Sequence, residues 1–186
     1  MNNLTFGNDH FGYYETIAGG HGAGPTWQGK HGVHTHMTNT RITDPEILER
    51  RYPVMLHAFE IRRGSGGRGK NSGGDGLTRV IEPLTPLTMS ILSERRSRSP
   101  YGLSGGENGL CGLNLIERAG TGGMVVNIGG KKTTKLNLGD KLIIHSPGGG
   151  GWGMPGEEAT KERKRKAFIP VGNGSLAAYQ EAQFTT

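Results

Sequence analysis

The sequence predicts a mainly β fold: turn-rich antiparallel sheets in a sandwich or barrel-like arrangement, with few short helices and glycine-rich loops. Three observations carry this. Glycine fills 34 of 186 positions and only 32% of residues are hydrophobic, which excludes a helical bundle. Short apolar or alternating segments recur at close intervals, each bounded by glycine, proline or Gly-Asp punctuation, which is the rhythm of strands joined by tight turns. The glycines follow no collagen period and no repeated unit, so they mark positive-φ turns and close backbone approaches in a globular domain.

In chain order, Tyr13 to Ala18 is a short strand that opens onto Gly19-Gly-His-Gly-Ala-Gly-Pro25. That glycine cluster can present backbone N–H groups to an anion, and a plain tight turn explains it equally well. Trp27 beside it is a core-edge anchor or a lid. Lys30 to Pro53 is densest in polar chemistry and holds His31, His34 and His36, three of the seven histidines. Read as a strand, period two puts His34, His36, Thr38 and Thr40 on one face and Thr35, Met37, Asn39 and Arg41 on the other. Thr43-Asp-Pro-Glu46 then starts a short helix. Either Thr43 caps with Glu46 at the third position, or Asp44 caps with Pro45 at the first, and Pro53 stops it.

Val54 to Arg62 reads as a strand with two partly apolar faces, hence covered on both sides, with His57 packed rather than ligating. Gly64 to Gly76 imitates a phosphate-binding loop through Gly64, Gly69 and Lys70. Asn71 stands where a magnesium-binding hydroxyl belongs, and no helix signal follows, so the run is read as a flexible connection. Further strands are expected at Leu77 to Ile81, Leu87 to Leu92, Leu113 to Glu117, Met124 to Ile128, Thr134 to Leu138 and Lys141 to His145. Pro147 to Gly153 closes the domain with a run that only glycine could make compact. The strand rhythm ends there. Residues 1–154 are expected to form the domain, followed at 155–186 by a basic connector and a tail with a helix near Ser175 to Phe184.

The single cysteine, Cys111, excludes an internal disulfide and suits a reducing compartment. No apolar run approaches the ~20 residues that span a bilayer, so a soluble, cytoplasmic chain without a membrane partner is expected. The formal charge of +6 comes in part from Lys161 to Lys166. No nucleic-acid motif accompanies that run, and a solvated connector accounts for it, so no nucleic acid partner is expected.

Three chemistries compete for the histidine-rich stretch. A His-x-His pair on a strand can ligate a transition metal, but needs a third ligand from elsewhere. A histidine there can act as general acid or base near neutral pH. The polar residues can also serve only to orient neighbouring loops. No nucleophile elbow, Cys-His pair or spaced carboxylate pair appears.

Longer motifs point further. YYETIAGG at 13–20, GVHTHMTNTRITDPEILERRYP at 32–53 and RRGSGGRGKNSGGDGLTR at 62–79 resemble the hydantoinase B family. So do ERR at 94–96, PYGLSGGENG at 100–109 and HSPGGGGWG at 145–153, and GSLAAYQEAQ at 174–183 is similar to the C-terminus of eukaryotic-type 5-oxoprolinases within that family. The resemblance implies a C-terminal fragment of an ATP-hydrolysing enzyme that opens 5-oxo-L-proline, a cyclic amide, to L-glutamate in glutathione turnover. It implies ATP and Mg2+ for the full enzyme, with the nucleotide site outside this chain. The implied partners are the hydantoinase A-like half, the remainder of the B-like half and a small-molecule substrate, in a parent enzyme that is a homo-oligomer. The fragment alone is expected to be inactive.

An N-methylhydantoinase or acetone-carboxylase-like assembly, and a non-catalytic β scaffold or partner-binding domain, remain as alternatives. The family's metal-binding motif has no counterpart here, so no metal is expected on this chain. The block that matches best nominates His34, His36, Asn39 and Arg41 as catalytic chamber residues, with Arg41 suited to a substrate carboxylate. Thr40, Glu15 and His31 are nominated for substrate binding.

Overall fold

The computed structural model describes residues 1–34, 38 and 40–156. Within them the chain runs β1 (Asn2–Asn8), β2 (Phe11–Thr16), α1 (Pro45–Arg51), β3 (Val54–Arg62), β4 (Gly76–Pro83) and β5 (Leu87–Ser93). Then follow β6 (Leu113–Arg118), β7 (Met124–Asn127), β8 (Lys131–Leu136) and β9 (Lys141–His145). The strands form two antiparallel sheets, ordered β2-β1-β5-β8 and β3-β4-β9-β6-β7, with no closed barrel. The mainly β expectation holds. The predicted tail helix and the basic run at Lys161 to Lys166 lie outside the described residues.

Period-two alternation explains the sandwich. In the first sheet Leu4, Phe6, Tyr13, Leu87, Met89, Ile91 and Leu136 turn inward, and in the second Val54, Ile81, Ile116, Leu142 and Ile144 do so. Helix α1 starts where Asp44 caps it: its carboxylate accepts the Glu46 N–H at 3.0 Å and Pro45 opens the first turn, as the second capping alternative has it. Leu48 anchors α1 in the core. Tyr52, just past its end, joins Phe6, Phe11 and Tyr13 in an aromatic cluster, with the Tyr13 and Tyr52 rings 4.9 Å apart.

Strand β3 departs from expectation. It is an edge strand, and Met55, Phe59 and Ile61 remain exposed rather than covered on both sides. His57 sits in a register irregularity between Leu56 and Ala58 and is hydrogen-bonded to Glu82 on the neighbouring strand, at the surface rather than packed. The sequence reading missed β1, whose apolar signal is only Leu4 and Phe6. It placed β8 late, because Lys131 to Thr133 are polar and pair with β5 on a solvated face.

At one end of the sandwich the glycines form a body of their own. Pro147 to Gly153 runs through the middle of the segments around residues 20–24, 65–75 and 101–110, and its hydrogen bonds radiate to all of them. Gly149 N–H donates to the Gly74 carbonyl and Gly151 N–H to that of Glu107. The carbonyls of Pro147, Gly149 and Gly150 accept from Gly20, Gly67 and Ala23. A Cβ on Gly148, Gly149, Gly150 or Gly151 would overlap the carbonyl oxygen of Ser65, His21, Tyr101 or Arg68 respectively. None of these four has a positive φ. Their use is therefore backbone-to-backbone packing, not turning. The run from Gly64 to Gly76 belongs to this body: Asn71 is fully buried and donates to the Gly24 carbonyl at 2.7 Å, which corrects the reading of a flexible connection.

Candidate functional site

An open cavity of about 420 Å³ lies where the glycine body meets the first sheet. One wall is the chain from Thr16 to Ala23, and the wall beside it is the run from Pro147 to Gly151. His34 and Thr38 project from the segment leading to α1, and Arg95, Pro100 and Tyr101 close the remaining side. Glycine's lack of side chain brings bare backbone to the cavity surface. Several lining N–H groups, those of Gly22 and Gly150 among them, find no acceptor among the described residues.

Residues 94–96 show how local sequence aims a side chain into this space. Arg96 turns inward. Its guanidinium donates to Asn2 Oδ1 at 2.6 Å, to the Glu94 carbonyl at 2.7 Å and to Asn114 Oδ1 at 2.8 Å. Asn114 is fully buried and in turn donates to Ser93 and to the Gly129 carbonyl. Burial, together with the Arg62 guanidinium nearby, lowers Arg96 to about 10. With Arg96 locked to β1, β6 and its own loop, Arg95 is left lining the cavity in a left-handed backbone conformation (φ 59°), its guanidinium 5.5 Å from the centre of the Tyr101 ring.

Among the described residues, the cavity's lining contains no aspartate or glutamate. Its titratable side chains among the described residues are those of Arg95, His34 and Tyr101. Burial pushes the His34 imidazole below its ordinary value, so the ring is neutral at pH 7 and can accept a proton. Among the described residues, no group of three or more His, Cys, Asp or Glu is placed to hold a metal ion.

The nominated residues scatter more than their spacing implied. His34 lines the cavity, and so does Thr38 from the same block. Arg41 and Thr40 are exposed and outside its lining. His36 and Asn39 lie outside the described residues. His31 is exposed beyond the cavity, where its Nδ1 accepts the Asp75 N–H at 2.8 Å. Glu15 lies outside the cavity's lining, in the core. Its parity on β2 turns it into the core, where Arg79 of β4 donates to both its oxygens at 2.7 and 2.9 Å. Tyr13 donates to the same carboxylate at 2.9 Å and is joined to the Thr43 hydroxyl at 2.8 Å; burial chiefly, and Glu15 beside it, push the phenol up to about 12. Glu15 therefore ties the sheets and the α1 approach together. Of the stretch read as a strand from His34 to Arg41, residues 35–37 and 39 lie outside the described residues; just before it, Val33 forms an isolated bridge to Gly19.

Sequence reasoning missed Arg95 and Tyr101. The ERR and PYG motifs drew notice as part of a resemblance, but nothing in their spacing says which arginine is buried and which is presented.

The family model described as Hydantoinase B/oxoprolinase matches residues 1–155. The chain is 59% identical over 153 residues to "5-oxoprolinase 1" of Arabidopsis thaliana, covering 82% of this chain and 12% of that protein. It is 56% identical over 154 residues to "5-oxoprolinase" of Dictyostelium discoideum, covering 83% of this chain and again 12% of the relative. Its fold is similar to that of an ATP-dependent caprolactamase from Pseudomonas jessenii, with a TM-score of 0.65 and 23% identity over 82% of this chain and 28% of that one. The chain thus spans about an eighth of the curated relatives named here.

Proposed function

Starting from a chain that belongs to the hydantoinase B/oxoprolinase family, we propose that it contributes to ATP-dependent opening of the 5-oxo-L-proline lactam to L-glutamate, as one part of a larger assembly. The observation that carries the reading is the identity of 59% and 56% to two proteins named 5-oxoprolinase, spread over more than four fifths of the chain. Under this reading the remainder of the B-like half, a hydantoinase A-like half and an ATP site lie elsewhere in the assembly.

The Gly64 to Lys70 run does not fit ATP. It leads into buried Asn71 and the glycine body rather than into a helix whose N-terminal N–H groups could hold phosphate. No step on this chain is therefore routed through the nucleotide. A lactam resists hydrolysis at neutral pH, and ATP supplies the activation that makes its carbonyl carbon a better electrophile. What remains is to orient the ring, to bring water and to hold developing charge on oxygen.

The cavity residues suit that work. His34, neutral at pH 7, accepts a proton from the attacking water. The N–H groups of Gly22 and Gly150 offer fixed donors of the kind that stabilise an oxyanion without reorganising. In an active assembly, His34→Gln is expected to lower kcat by about 10²–10⁴, the usual worth of a positioned general base. A loss smaller than about threefold would leave His34 without that role.

The test of the reading itself is a chimera in which residues 1–155 of this chain replace the matching segment of the Dictyostelium enzyme. Glutamate release that depends on both ATP and 5-oxoproline is the expected result. A folded chimera that hydrolyses ATP on adding 5-oxoproline but forms no glutamate would contradict it.

A further inference from the structure

We propose that Arg95 is the carboxylate anchor of the cavity and sets its preference for ligands with an anionic group beside a small polar ring. This rests on the lactam reading above for the identity of the ring, though not for the anchoring itself.

Four observations converge. Arg95 lines the cavity, and among the described residues no aspartate or glutamate shares that lining, so a ligand's carboxylate would meet no competing anion from them. No carboxylate of the described residues pairs with Arg95; its side-chain hydrogen bond is a long one, 3.4 Å, to the Ser99 carbonyl. Arg68, Arg79 and Arg118, by contrast, each hold a carboxylate. The Tyr101 ring lies beside the Arg95 guanidinium, a contact that leaves its N–H donors available. Finally, Arg95 keeps a left-handed backbone that glycine would adopt without strain, in a chain that spends glycine freely. Retaining a strained arginine there is explained by what its side chain does.

The geometry supplies a division of labour. Arg95 offers two parallel N–H donors to a carboxylate at one side of the cavity. Gly22 and Gly150 offer backbone donors from the glycine wall to a ring carbonyl, and His34 approaches from the α1 side. A ring that carries both a carboxylate and an amide carbonyl would engage both sets. Arg41, exposed and outside the lining, is not required for the anchoring.

The test is an NMR titration of the full 186-residue chain with three probes: 5-oxo-L-proline, 2-pyrrolidinone (the same lactam without the carboxylate) and tetrahydrofuran-2-carboxylate (the carboxylate without the lactam). The wild type is compared with Arg95→Gln, Arg95→Lys and Arg95→Gly. The expected result is that 5-oxoproline shifts the Gly22 and Gly150 amides and binds at least about tenfold tighter than 2-pyrrolidinone. Arg95→Gln should abolish that difference, and Arg95→Lys should retain part of it. Arg95→Gly should lose binding without lowering Tm, which separates loss of the anchor from loss of the fold.

A preference of about tenfold for 5-oxoproline that survives Arg95→Gln would overturn the anchor while leaving the lactam reading intact. If tetrahydrofuran-2-carboxylate binds as tightly as 5-oxoproline, and only with Arg95 present, the anchor stands and the lactam reading falls. Absence of binding by both carboxylates to the folded wild type would overturn the proposal.

Discussion

The carboxylate of Glu15 has exchanged water for two guanidinium N–H groups and a phenol, and the cost of burying it is met only while those partners stay. Arg79 is fully buried with it and also lies 4.8 Å over the Phe59 ring. Arg79→Leu leaves Glu15 uncompensated in the core and is expected to cost about 3–5 kcal/mol in urea unfolding. The double replacement Arg79→Leu with Glu15→Leu should recover most of that, since the isolated charge is then gone. Equal losses in the single and double variants would contradict this account. Little of the network was legible in the sequence. Glu15 drew notice as a polar residue within a distinctive motif, and nothing local reveals that its partner stands 64 positions away on another sheet.

Histidine burial has a consequence for pH at this same scale. Both His34 and His145 are held below their ordinary value, chiefly by burial; for His145 the neighbouring Arg62 and Arg96 push the same way. The unfolded chain therefore binds protons at these sites first as pH falls. Their stabilisation is complete above the unfolded value of about 6.5 and is lost as pH drops towards the lower folded values. Tm should fall between about pH 7.5 and 5, and His145→Gln should flatten part of that slope. An unchanged slope in the variant would assign the acid loss to other groups.

At the scale of elements, the glycine body makes the sharpest demand. Gly149 packs against the backbone of His21 and Gly22, so Gly149→Ala forces whole segments apart and is expected to destabilise by at least about 1–3 kcal/mol. Gly120 provides the contrast: a methyl there would have open space around it, and its φ is not positive. Gly120→Ala should therefore be neutral or stabilising by about 0.4–1 kcal/mol. Similar effects at the two positions would refute the packing role. The strands were the most legible part, because period two and turn residues are local signals. β3 and β9 have the bounds that alternation implied, and α1 begins at the cap and proline that mark it. The glycine-rich runs were misread in part because a glycine needed for close approach and one needed for a turn look the same in a sequence. Only the neighbouring backbone distinguishes them.

Across the whole molecule, a β-sandwich supplies the rigid frame and a glycine-rich body supplies bare backbone at the cavity between them. His34 enters from a segment that the sequence marks as chemically dense, and Arg95 from one that it does not mark so. Part of that dense block, His36 and Asn39, lies outside the described residues. The chain spans only about an eighth of two 5-oxoprolinases that it matches at 59% and 56% identity, so its activity is proposed to belong to an assembly in which it is one part. The most direct measurement is ATP- and magnesium-dependent release of glutamate from 5-oxo-L-proline, made with this chain alone and then with the matching remainder of a 5-oxoprolinase added. The account predicts release only from the mixture. Release from the chain alone, or none from two folded and associated parts, would contradict it.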